Sequence, residues 1–245
     1  MGIQILRDLD LDEPYLVEGF PGVGLVGKIA ADHITEELDA VYYGNCDCEG
    51  LPEVSVFSKD EYEVKPAVTL VASEEHDMIV LEAEAPVSPE KSPCFSECVT
   101  EFIDEIDATP FYLSGLPVDG ATEDKDREVY GVSTTEGSGL EEHGINPPDQ
   151  DGVVTGPTGS LMKEAKLSNL PAYGLIVESD PQFPDPTAAR HLIEKGISEL
   201  TGVEFDTSKL REKAGEIREK KGQLAAQMEA TDEDSSSAAP VGMYQ

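Results

Sequence analysis

Three glycines in the segment GFPGVGLVG, namely Gly22, Gly24 and Gly27, satisfy the spacing G-x-G-x-x-G between an apolar strand-like run and a helical one. Glycines so placed can take positive φ and let a phosphate or a neighbouring strand come close to the backbone. They also lead into a helix start whose free amides favour an anion. Asp47, about twenty residues further on, stands where a dinucleotide-binding fold keeps a ribose-binding carboxylate. The same glycines equally serve a tight crossover that packs helix on sheet. No second glycine motif, Walker lysine or magnesium carboxylate pattern accompanies them. An enzyme or sensor that binds a nucleotide or another phosphate at Gly22 to Gly27 is therefore one function these residues admit.

A second constellation lies at the other end. The stretch EATDEDSSSAAP is acidic, small or helix-breaking, and then the sequence closes on Met243, Tyr244 and Gln245. The preceding stretch cannot bury enough apolar surface to offset the entropy of ordering it. Met fills irregular apolar space, Tyr joins a flat apolar body to a polar tip, and a chain-end carboxylate is an anion. Together they have the makings of a small plug on a flexible leash.

Other chemistry is thinner. The four cysteines occur as Cys46 and Cys48, and as Cys94 and Cys98. In a reducing compartment reduced thiols are expected; neither spacing is that of a zinc knuckle and no histidine adjoins them, so no metal site is expected. His33 and His191 fall inside predicted helices, His76 and His143 in acidic loops. No nucleophile elbow or H-E-x-x-H motif is present. No catalytic residue and no cofactor is expected.

The elements that must position these groups alternate between period two and period 3.6, which predicts a single α/β domain over 1–205. Strands are expected at 14–20, from Ala40, at 54–57, 66–72 and 77–84, at 109–118, at EVYGVST and at 171–179. Helices are expected at 25–38, 92–106 and 156–170, and in FPDPTAARHLIEKGISELTG, where Asp185 caps the helix and Pro186 opens it. A further helix over 206–230 carries Leu210, Ala214, Ile217, Lys221, Leu224 and Met228 on one stripe. That is the spacing of a coiled-coil seam between subunits, with Lys221 as its polar position. A helix lying on its own domain would show the same stripe. Residues 231–245 are expected to form a flexible acidic tail.

The chain of 245 residues carries a formal net charge of −34, with the acidic residues spread along its whole length. Polyphosphate partners are repelled, so nucleic acid is an unexpected ligand. The pattern is that of a protein from a high-salt cytoplasm, where repulsion is screened within a few ångströms. No segment is apolar enough to span a bilayer, and MGIQILRDLD lacks the pattern of a signal peptide, which predicts a cytoplasmic protein without membrane contact.

The blocks EGFPGVGLVGKIAADHI, GPTGSLMKEAKLSNLPAYGLIVES and PDPTAARHLIEKGISELTG, in that order, resemble the proteasome assembly chaperone family. Its members include the second of the eukaryotic assembly chaperones and archaeal relatives, and the resemblance runs from about residue 13 to about 220. With the acidic composition it implies a haloarchaeal source. The resemblance implies an α/β fold like that of purine nucleoside phosphorylases, without a shared enzymatic activity. It also implies a role for the last three residues, because some members end in a hydrophobic residue, a tyrosine and any last residue. Such tails enter pockets between α-subunits of the 20S proteasome. Carried over, Met243 is the hydrophobic residue, Tyr244 the tyrosine and Gln245 the carboxylate that pairs with a pocket lysine. About a dozen flexible residues would give the tail a root-mean-square span on the order of 20 Å, and about 40 Å when stretched. An ATP-independent assembly chaperone or activator, homo-oligomeric and by resemblance a tetramer, is the function so implied.

Overall fold

The structure, a computed structural model, describes residues 2–59, 62–88, 91–118, 126–217 and 219. Its centre is an eight-stranded mixed sheet. Four strands run parallel in its middle: β2 (Tyr15–Gly19), β7 (Met78–Ala83), β8 (Thr109–Pro117) and β10 (Tyr173–Ser179). Numbered along the chain, β1 (Gly2–Ile5), β3 (Val41–Asp47) and β6 (Val68–Ser73) extend it on one side, and β9 (Val129–Ser133) closes the other. The order is β1-β3-β6-β7-β2-β8-β10-β9. A separate antiparallel hairpin is made by β4 (Ser55–Phe57) and β5 (Val64–Pro66).

Both faces of the sheet are covered, which explains why its central strands read as unbroken apolar runs. Successive side chains alternate sides. Leu16, Ile79, Leu81 and Tyr112 therefore face α2 (Ser92–Glu105) and α3 (Gly156–Leu167), meeting Phe95, Val99, Ile103, Leu161 and Ala165. Their chain neighbours Val17, Val80, Phe111 and Leu113 face the other way, with Val177. There they meet Ala30 and Ile34 of α1 (Val26–Glu37) and Leu192 of α4 (Pro186–Leu192). As expected, Asp185 caps α4, accepting from the Ala188 amide at 3.0 Å. The helix then passes through a wide turn, Ile193–Ile197, into α5 (Ser198–Thr201) and ends at Gly202 with φ 74°.

A last helix, α6, covers 208–217. Leu210 is fully buried in the α1/α4 core and Ala214 is also buried. The helix is tied down by Lys209 to Glu37 (2.8 Å), Thr207 to Glu194 (2.5 Å) and the His33 ring to the Asp206 carbonyl (2.9 Å). The first two positions of the predicted seam are thus used against the chain's own domain, the alternative that the stripe also allowed. Ile217 is half-buried, while Lys221, Leu224 and Met228 lie outside the described residues.

The expectation of four thiols is corrected. Cys48 and Cys98 form a disulfide across 50 residues, leaving Cys46 and Cys94 free. The expectation rested on a reducing compartment, whereas the fold sets the end of β3 beside α2 and joins one cysteine from each pair. Cys46 lies 3.5 Å from the Cys48 sulfur, and burial pushes its thiol up to about 12.

Candidate functional site at the carboxyl ends of the parallel strands

In open α/β sheets ligands gather outside the carboxyl ends of the parallel strands, and the glycine loop leaves β2 at that end. Gly24 has φ 62° and is buried. A Cβ there would lie 1.9 Å from the Ser179 hydroxyl, and its carbonyl accepts from the Asp185 amide at 2.8 Å. A Cβ on Gly27 would stand 3.1 Å from the Phe20 carbonyl, tighter than side chains normally approach. Two of the three motif glycines therefore let the loop seat against β10, β2 and the start of α4. Gly22 is exposed, with nothing within 4 Å of a Cβ. Asp47 ends β3, with β6 and β7 between it and β2, so the sheet order does not bring it to the loop.

Beneath the loop sits a carboxylate that the sequence did not single out. Glu18 is the one charged residue in β2 and is fully buried. It accepts from the Thr158 hydroxyl at 2.9 Å and from the amides of Phe20 (3.2 Å) and Leu113 (3.3 Å). Burial raises its pKa to about 7, against the opposing pull of those donors. It thus joins the end of β2 to β8 and to the first turn of α3. The Tyr112 hydroxyl is buried without a hydrogen-bond partner among the described residues, and burial together with the Glu18 charge disfavours its ionisation.

Behind the loop a second polar cluster closes the end of β10. Arg127 and Asp185 pair at 2.5 Å with side chains only 1% and 4% exposed, a buried pair in which each partner compensates the other. Asp185 also accepts from the Ser179 hydroxyl and the Asp180 amide, and Arg127 donates to the Glu178 carbonyl at 2.9 Å. Its signal was partly legible, since Asp185 was recognisable as a cap, whereas its partner Arg127 lies 58 residues away. Asp185 balances the guanidinium charge through Nη1, while Nη2 is buried with no hydrogen-bond partner among the described residues, and the pair fastens the loop.

Nearby, Ser114, Tyr130, Val132, Met162 and Ile176 line a largely apolar cleft of about 370 Å³ under the 148–154 loop. The histidines take separate places: His33 on the Asp206 carbonyl, His76 on Ser73, His143 on the Glu199 carbonyl, and His191 accepting from Arg190. Among the described residues no group of three or more His, Cys, Asp or Glu is placed to hold a metal ion. No helix among them is long and apolar enough to cross a membrane. Met243, Tyr244 and Gln245 lie outside the described residues.

A three-layer mixed sheet whose glycine crossover is locked by internal packing defines an α/β scaffold. Residues 16–225 match the model of the PAC2 family, and this chain belongs to that family. It is 25% identical over 219 residues to an uncharacterized protein of Methanocaldococcus jannaschii, covering 89% of this chain and 88% of the relative. Among solved structures it is similar to Pyrococcus furiosus PbaA, described as an archaeal homolog of proteasome-assembly chaperone. That likeness has a TM-score of 0.79 at 25% identity and covers 96% of each chain. It also shares its fold with Pyrococcus furiosus PbaB, described as an archaeal proteasome activator, with a TM-score of 0.77 at 22% identity over 91% of this chain and 98% of that one.

Proposed function

We propose that this protein is an ATP-independent, non-enzymatic partner of the 20S proteasome, acting as an assembly chaperone or activator. The observation that carries this reading is the likeness to PbaA along 96% of both chains, within a shared family. Docking is assigned to Met243, Tyr244 and Gln245, with the side chains filling a pocket between α-subunits and the Gln245 carboxylate meeting a pocket lysine. The body supplies a homo-oligomeric base, a tetramer by resemblance, so that several tails act together. Each tail after the first then binds at a raised effective concentration. The working environment is a cytoplasm of high salt, which the net charge of −34 suits, and the source is haloarchaeal.

Nucleotide binding at Gly22 to Gly27 is the weaker reading, because the space beside Gly24 and Gly27 is filled by Ser179, Asp185 and Phe20. Capture of purified 20S particles by intact protein, by protein lacking residues 243–245 and by Tyr244→Ala tests the proposal. Capture is expected to fall at least tenfold for both variants. Equal capture by all three would remove the tail from the account.

A further inference from the structure

We propose that the β4–β5 hairpin is a self-association surface on which a second copy of this chain docks, a refinement that rests on the homo-oligomer reading above. Four large apolar side chains stand exposed within residues 54–64: Val54 (49%), Phe57 (83%), Tyr62 (fully) and Val64 (65%). Phe57 and Val64 are directly opposite in the hairpin register and so share one face. Phe and Tyr each offer roughly 150–250 Å² of surface. With the two valines the exposed area is on the order of 500 Å² in all, about half of it from Phe57 and Val64 on their common face. Such a patch supplies the middle of an interface that needs about 800 Å² per partner.

The hairpin is presented from a fixed base. The Cys48–Cys98 disulfide anchors the chain before it, and Lys65 lies over the Tyr42 ring at 5.5 Å from the ring centre. Among the described strands β4 pairs with β5 alone, so its outer edge has no strand beside it. Like edges pair antiparallel about a two-fold axis, a self-complementary contact that needs no other molecule. Each chain carries −34, and Glu53 and Glu63 stand exposed beside these side chains, so two copies close here only where salt screens the carboxylates around the apolar contact. Leu210 and Ala214 of α6 are buried in their own domain and leave that role open.

Sedimentation of the full chain in high salt, without proteasome, tests this. Wild type is expected at a multiple of the monomer mass. The Phe57→Ser/Val64→Ser double variant should fall to half that mass or less, with a dissociation constant at least 30-fold weaker and an unchanged circular dichroism spectrum. Should that variant misfold, hydrogen exchange of wild type decides, because amides 55–57 must lose protection on dilution. A wild type that sediments as one chain, a variant of unchanged mass, or exchange at 55–57 independent of concentration would each overturn the proposal. So would unchanged mass with lost 20S capture, which would make the ring the occupant. Deleting residues 243–245 should leave the mass intact, so failure of the tail reading is seen separately.

Discussion

Glu18 is held by three donors yet sits where water cannot reach it, and the second fact outweighs the first, raising its pKa from 4.5 to about 7. The folded state therefore keeps a proton that the unfolded chain has already released. The stability this contributes is fully present below about pH 4.5 and is lost as pH rises through 7, a change of about 3 kcal/mol. His191 works in the opposite sense. Burial first, then Arg190 and Lys195, hold its pKa near 4, so stability is lost as pH falls from 6.5 towards 4. The informative quantity is the difference between wild type and Glu18→Gln in urea unfolding at pH 5, 6, 7 and 8 at constant salt. Wild type should lose about 3 kcal/mol relative to the variant across that range; parallel curves would mean that Glu18 keeps an ordinary pKa. The strand PYLVEGF hinted at this residue, being apolar except for one carboxylate. With 51 acidic residues in the chain, nothing local separated Glu18 from the rest.

At the scale of elements, the strands and helices of the two cores were legible from periodicity because both faces of the sheet are buried. The short edge strand β1 and the second arm of the hairpin, β5, were not, since three or four half-exposed residues carry too little pattern. The Cys48–Cys98 link likewise belongs to element packing, joining β3's exit to α2. Closing a loop of 50 residues should stabilise the fold by about 4 kcal/mol. Adding a thiol reductant is expected to lower the melting temperature by about 10 °C, and Cys98→Ser should melt with the reduced wild type whether or not reductant is present. A wild type indifferent to reductant would show that the link contributes nothing to stability.

For the whole molecule the dominant quantity is a net charge of −34, whose self-repulsion weakens as counter-ions screen it. Thermal unfolding followed from about 3 M down to about 0.1 M potassium chloride, a change in Debye length from under 3 Å to about 10 Å, should show a steadily falling midpoint. A midpoint that holds or rises on dilution would contradict the reading of the acidic surface as an adaptation to salt. Association through the hairpin should weaken along the same series, because the copies carry like charge.

The sequence by itself determined the α/β class, the capped start of α4 and the family, because these depend on local periodicity, capping chemistry and ordered blocks of residues. Only the tertiary structure decided which strands stand side by side, and with that the fate of each candidate group. It put β6 and β7 between Asp47 and the glycine loop, and joined Cys48 to Cys98. It placed Arg127 on Asp185 and Thr158 on Glu18, and turned Leu210 into its own core. The physical reason is that pairing, burial and charge compensation depend on distances through space, and residues 50 to 140 positions apart acquire those distances only when the sheet order is set.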